Sequence, residues 1–213
     1  MIRFISFEGG DGTGKSTQIK ALERHLAASG RSFVSTREPG ATPLGKLIRQ
    51  ALLEGGIQPI GSPTELFLYL ADRAQHVEHV ISPALRDGKI VLCDRYTDST
   101  LAYQGYGRGI DLNLVRKLNR IANRGLQPDL TLLLDCPVAV GLSRTAERFA
   151  IQASSAPPED RFERENKDFH EKVRAGFLEM AGAEPRRFRV IDASRSVDEV
   201  TQEILRIVDR ELD

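Results

Sequence analysis

Short apolar runs alternate with longer stretches of helical spacing along the whole chain. Ile2–Phe7 reads as a strand that enters a glycine-rich turn, and residues 15–29 then carry helical periodicity up to Gly30. Ser32–Thr36 is the second strand, followed by the loop Glu38-Pro39-Gly40 and a helix near Leu44–Leu53. Pro63–Asp87 is one amphipathic stretch with Leu66, Leu70, Val77 and Ile81 at helical spacing, closed by Gly88. Lys89–Cys93 is a buried-strand run, and residues 111–124 are helical up to Gly125. Leu130–Asp135 is the fourth strand, Val138–Phe149 and Glu163–Ala181 are helices, Phe188–Ile191 is the last strand, and 196–212 is a closing helix.

Strands separated by helices predict an α/β fold: a five-stranded parallel sheet with helices on both faces. The Ala/Ser/Pro-rich stretch Ala150–Pro158 breaks the alternation and is too short to link domains. It reads as part of a lid, about residues 144–164, on a single domain spanning 1–213. Ligands of such sheets bind beyond the carboxyl ends of the strands. Glu8, Arg37, Asp94, Asp135 and Asp192 each close or follow an apolar run, so all five charges should line one rim.

Composition narrows the function. Thirty basic and 30 acidic residues in 213 leave no net charge, which argues against a general nucleic-acid binder. Phosphate chemistry would need locally concentrated cations. Cys93 and Cys136 lack metal-ligand spacing and sit in apolar runs, as small buried hydrophobes do. No apolar stretch is long enough to span a membrane, and a strand begins by Ile2, so a cytoplasmic protein without a signal peptide is expected.

Gly9-Gly10-Asp11-Gly12-Thr13-Gly14-Lys15-Ser16 has the spacing G-x-x-x-x-G-K-[ST] between a predicted strand and a predicted helix. The glycines let backbone N–H groups converge on phosphate oxygens, and the helix N-terminus adds positive potential. Lys15 is expected on the β- and γ-phosphates, Ser16 on Mg²⁺, and Gly10 through Thr17 around the nucleotide. Asp11 is out of place among anions, so it should face a metal, a sugar hydroxyl or a cation, or else be a solvated turn residue. Nothing here resembles a guanine motif: Asn166-Lys167-Asp168-Phe169 lacks the second aspartate of Asn-Lys-x-Asp. Asp94-Arg95-Tyr96 follows a strand at the rim, where Asp94 could hold Mg²⁺ through water and Arg95 could grip a phosphate bidentately.

With these residues in hand, the chain resembles the thymidylate kinase family over nearly its whole length. The likeness rests on the phosphate loop, Thr36-Arg37-Glu38-Pro39-Gly40, Tyr69-Leu70-Ala71-Asp72-Arg73, the block from Asp94 through Gly105, Pro128-Asp129-Leu130-Thr131 and Asp160-Arg161-Phe162-Glu163. The resemblance implies transfer of the γ-phosphate of ATP to dTMP with Mg²⁺, in a homodimer packed through helices that include the 63–87 stretch. It places Arg95 and Arg49 on the dTMP phosphate, with Arg37 and Glu38 in the same wall. Tyr69 takes the stacking position against thymine, and Arg73 the hydrogen bond to a base carbonyl. Ser99, Thr100, Tyr103 and Gln104 close around base and sugar, and Glu163 joins the acceptor site. Asp11 matches an acidic position near nucleotide sugar and magnesium, and Asp192 the adenine-side loop. One subgroup of the family carries an arginine inside the phosphate loop, where this chain has Gly12. The transferred phosphate is therefore expected to meet a lid arginine: Arg144, Arg148 or Arg161.

Overall fold

The computed structural model describes residues 2–53, 60–152, 162 and 165–212, and only the backbone of residues 148, 149, 151 and 152. Five strands form one wholly parallel sheet in the order β2-β3-β1-β4-β5: β1 (Phe4–Glu8), β2 (Phe33–Arg37), β3 (Ile90–Asp94), β4 (Leu130–Asp135) and β5 (Phe188–Asp192). Alternation along each strand feeds two cores. Ile5, Phe7, Leu92, Leu132 and Leu134 face α1 (Lys15–Ala28) and α9 (Val197–Leu212). Phe4, Val91 and Cys93 point the other way, as does Leu133, against the helices of the crossovers. Ser6 and Thr131, the polar members of β1 and β4, pair with each other at 2.9 Å inside the sheet. Both faces are thus covered, which is why the strands read as unbroken apolar runs.

The other described helices are α2 (Pro43–Leu53), α3 (Ser62–His76), α4 (Ser82–Arg86), α5 (Thr97–Thr100), α6 (Leu112–Ala122), α7 (Val138–Gln152) and α8 (Lys167–Ala183). The long amphipathic stretch is not one uniform helix. A π-helical turn, Val77–Ile81, joins α3 to α4 just before Pro83. Proline has no N–H and its ring crowds the carbonyl four residues earlier, and a wider turn relieves that clash. A second π-helical segment, Leu101–Gly107, continues α5 where the sequence pattern predicts no element. Helix α7 runs to Gln152, three residues past its expected end, and α8 begins at Lys167 rather than Glu163. Most of the expected lid, residues 153–161, 163 and 164, lies outside the described residues. Cys93 and Cys136 are free and buried.

All five rim charges close their strands: Glu8, Arg37, Asp94, Asp135 and Asp192 are the last residues of β1 to β5. The chain leaves β1 for one edge of the sheet and later crosses to the other, so the switch in strand order lies at β1, directly under the glycine-rich turn.

Candidate active site

The loop between β1 and α1 is shaped by its glycines. Gly12 has φ +74°, and a Cβ there would meet the Gly141 carbonyl oxygen of α7 at 2.0 Å. In return, a Cβ on Gly141 would meet the Asp11 carbonyl oxygen at 2.5 Å. The loop therefore lies backbone against backbone on the first turns of the helix that leads toward the lid. With the loop packed this way on Gly141, a side chain at position 12 would clash, so this chain does not carry an arginine there without a shift of the loop or of α7.

Lys15 is buried and donates to the carbonyls of Gly9 (3.0 Å) and Gly10 (2.7 Å). Burial, with Arg95 close by, pushes its ammonium down to about 8. A bound polyphosphate would favour the charged ammonium. Thr13 closes the turn through its hydroxyl to Gly10 O, while Ser16 and Thr17 start α1 exposed, facing the space above the loop with Gly14.

Asp11 resolves its odd placement through Arg95. The guanidinium meets its carboxylate at 2.6 Å and also donates to Gly9 O (3.1 Å) and Ser99 Oγ (3.2 Å). The Tyr103 hydroxyl donates to the other Asp11 oxygen at 3.1 Å, and the Arg95 guanidinium lies 5.0 Å from the Tyr103 ring centre. Burial would raise the Asp11 carboxyl, but Arg95, then Lys15, Tyr103 and His170, hold it below the ordinary range. Arg95 itself has φ +66°, a conformation a residue with a Cβ adopts only when its surroundings impose it. That backbone directs the side chain over the phosphate loop rather than along the strand.

Beneath Arg95, Glu8 accepts from Tyr96 N (2.8 Å) and Ser99 Oγ (2.6 Å). Burial, with Asp98 beside it, pushes the Glu8 carboxyl up to about 7, against the pull of Ser99 and Arg95. Asp94 ends β3 with a buried Oδ1 that has no hydrogen-bond partner among the described residues. An orphaned carboxylate oxygen beside Lys15 and the start of α1 suits a hydrated divalent cation. Asp94 and the Ser16 hydroxyl are the residues present that fit Mg²⁺.

Three side chains expected on the acceptor wall, and one expected in the lid, are held by partners within the protein. Arg73 is 1% exposed, and its five N–H donors face Glu38, Thr100, Asn119 and the Tyr96 carbonyl. It is a buried strut, with none of these donors left over for a base carbonyl. Thr100 is buried as its acceptor, and Gln104 is buried donating to Glu65 at 2.7 Å, so both brace the wall from behind. Arg144 donates to the Ala193 carbonyl at 2.8 Å, on the loop after β5. Its place is beside Asp192, which caps Ser194 N at 2.9 Å, rather than over the phosphate loop. Arg144 lies in the second turn of α7, at the start of the expected lid segment, where the helix packs near the loop after β5.

The other expected residues lie as follows. Arg37 is exposed at the end of β2, and Arg49 is half-buried and donates to Pro39 O at 3.1 Å. Glu38 is buried between Arg73 and His76, and Tyr69 is half-buried with its ring 6.4 Å from Phe162. Arg161, Glu163 and the side chain of Arg148 lie outside the described residues. Sequence reasoning missed Glu8 as a site member, and Glu65, His76, Asn119 and His170 altogether. The burial of Arg73 and His170 has one signal in the sequence: each lies within a helix's apolar stripe.

A phosphate loop, an arginine bent over it and a wall of Arg37, Arg49 and Tyr69 describe a nucleotide phosphotransferase, and comparison with known proteins gives the kind. The sequence model of the thymidylate kinase family matches residues 7–204. The chain belongs to the thymidylate kinase family. It is 54% identical over 195 residues to a thymidylate kinase of Geobacter sulfurreducens, covering 92% of this chain and 91% of that one. It is 52% identical over 205 residues to one of Solidesulfovibrio magneticus, covering 96% and 98%. A thymidylate kinase of Desulfovibrio desulfuricans is 54% identical over 197 residues, covering 92% and 90%. Thymidylate kinases are transferases that phosphorylate dTMP with ATP.

Proposed function

We propose that this chain transfers the γ-phosphate of ATP to dTMP by in-line displacement, with Lys15 and Arg95 as the catalytic cations of the described residues. The observation that carries this reading is Arg95, whose strained backbone joins the acceptor wall, through Ser99 and Tyr103, to the phosphate loop, through Gly9 and Asp11. A guanidinium at that junction can hold the acceptor phosphate while Lys15 holds the donor's. The acceptor atom is a phosphate oxygen already ionised at neutral pH, so no general base is required. Alignment and charge dispersal supply the rate. Mg²⁺, held by Ser16 and by Asp94 through water, would neutralise the developing charge on the phosphate oxygens.

Arg144 and the loop Asp192-Ala193-Ser194 frame the adenine end, which leaves Arg148 or Arg161 of the lid for the transferred phosphate. An acceptor panel tests the function: ADP release with dTMP, thymidine, dCMP and AMP. The expected result is preference for dTMP by two orders of magnitude or more. Equal turnover of unphosphorylated thymidine would overturn it, because Arg95 and Arg49 would then have no acceptor phosphate to hold.

The working form is a cytoplasmic homodimer, with neither nucleic acid nor membrane as partner. Helices α2, α3 and α6 pack side by side, and each leaves large apolar side chains in the open: Leu47 is 64% exposed, Phe67 60% and Ile121 75%. Such side chains on adjoining helices fit a second copy of the same surface. No helix among the described residues is long and apolar enough to cross a membrane. Phe67→Glu is expected to convert the dimer to a monomer in analytical ultracentrifugation; an unchanged sedimentation coefficient would place the interface elsewhere.

A further inference from the structure

The left-handed backbone of Arg95 is pinned from both sides of its Cα. Its own N–H donates to the Phe7 carbonyl at 3.0 Å, and the next N–H, that of Tyr96, donates to Glu8 Oε1 at 2.8 Å. These two bonds fix the peptide planes flanking the residue, and with them its φ and ψ. The first continues the parallel pairing of β1 with β3. The second needs a side chain, and Glu8, the last residue of β1, supplies it. Tyr96 is fully buried, where an N–H without its acceptor is costly. The other Glu8 oxygen takes the Ser99 hydroxyl at 2.6 Å, and Ser99 Oγ in turn receives the Arg95 guanidinium at 3.2 Å. One buried carboxyl therefore holds the Arg95 backbone directly and its side chain through Ser99.

The ends of this turn are fastened elsewhere. Asp98, next to Ser99, is paired bidentately with Arg187 at 2.6 and 2.9 Å, and Arg187 also donates to Thr131 of β4 at 2.7 Å. With β3 on one side and that ion pair on the other, the segment between takes its shape from Glu8. Strain at a residue such as Arg95 persists only where its surroundings over-determine it, so releasing Glu8 lets the turn relax at that point. We propose that Glu8 is a positioning residue for phosphoryl transfer: its carboxyl holds Arg95 in the left-handed conformation that carries the guanidinium over the phosphate loop to the acceptor phosphate. One oxygen of a carboxyl still accepts when the other carries the proton, so the hold on the Tyr96 N–H does not depend on the charge of Glu8. Glu8 also directly precedes Gly9, whose carbonyl receives both Arg95 at 3.1 Å and Lys15 at 3.0 Å. The residue that aims the acceptor-side cation is thus joined covalently to the loop that grips the donor.

The inference rests on Arg95 binding the acceptor phosphate, and the test separates the two. Steady-state kinetics gives kcat/KM for dTMP and KM for ATP in wild type, Glu8→Ala, Glu8→Gln, Arg95→Ala and the Glu8→Ala, Arg95→Ala double variant, with circular dichroism to confirm folding. Glu8→Ala is expected to lower kcat/KM for dTMP about 30-fold, as misplacement of a charge-stabilising group does, while KM for ATP stays within about twofold. Glu8→Gln, which keeps an accepting oxygen for the Tyr96 N–H, should return to within about threefold of wild type. Once Arg95 is alanine, removing Glu8 should cost less than about threefold, because its effect runs through that side chain. Should Glu8→Ala misfold, Glu8→Asp replaces it, alone and with Arg95→Ala. Aspartate keeps the charge but is one methylene too short to reach both donors, and a loss of about tenfold confined to dTMP is expected. Unchanged kcat/KM for dTMP, an equal loss on the ATP side, no recovery in Glu8→Gln, or an undiminished loss without Arg95 overturns the positioning role. Unchanged kcat/KM for dTMP in Arg95→Ala instead overturns the reading beneath it.

Discussion

Arg95→Ala should lower kcat/KM for dTMP by about 10³-fold while ATP affinity stays within a few-fold. The guanidinium stands between the two substrate sites, less than one-fifth exposed, and its surroundings keep it charged: burial works against the cation, but Tyr103, Asp11, Asp94 and Glu8 raise it well above its usual range. An arginine in such a place grips phosphate through two parallel bonds in a low-dielectric setting, and charge-stabilising arginines in phosphoryl transfer contribute about 10³–10⁵ in rate. Arg95→Lys should recover little, because an ammonium cannot reproduce the fork that spans Gly9, Asp11 and Ser99. Steady-state kinetics with dTMP and ATP varied separately makes the check. A loss below tenfold for Arg95→Ala would show that the acceptor phosphate is held elsewhere, with Arg49 and Arg37 the next candidates.

The frame that carries Arg95 was legible in the chain. Apolar runs ending in Glu8, Arg37, Asp94, Asp135 and Asp192 put five charges on one rim, because a parallel sheet buried on both faces has nowhere else for them. The phosphate loop was legible because its glycines serve backbone geometry. The contact of Gly12 with Gly141 was not, since nothing local says which helix lies against the loop. Nor was the difference between side chains that face the cleft and those that brace it. Tyr103 and Gln104 are adjacent on a π-helical segment, yet one hydroxyl reaches Asp11 and the other side chain is held by Glu65 behind the wall. Arg144 and Arg148 share a helix face by spacing, but only packing against the Ala193 loop shows where Arg144 is spent. These outcomes depend on which distant acceptor comes within 3 Å, and periodicity carries no such information.

Arg73 shows how that distinction becomes measurable. It lies within the apolar stripe that runs from Leu66 and Leu70 to Val77 and Ile81, and every hydrogen bond it makes is internal. Arg73→Met should therefore act first on stability. It leaves the Glu38 carboxylate, 2% exposed, without its guanidinium and with His76 alone beside it, and breaking a buried pair from one side costs about 3–5 kcal/mol. In a chain of this size that corresponds to a Tm lower by roughly 6–20 °C, at about 2–4 °C per kcal/mol. Asp72 fixes the pH dependence. Burial, with Glu38 nearby, already pushes its carboxyl up to about 6, and Arg73 is among the groups holding it down, so losing Arg73 lets it rise further. A carboxyl whose folded pKa lies above its unfolded value binds more protons in the folded state. The stability of the variant must then fall as pH rises from about 4 through that folded pKa. The Tm deficit against wild type should accordingly be smallest near pH 5 and widest near pH 8, and adding Glu38→Gln should recover part of it by removing the orphaned charge. A wild-type Tm combined with a selective loss of dTMP binding would show instead that Arg73 leaves its buried partners to read the base.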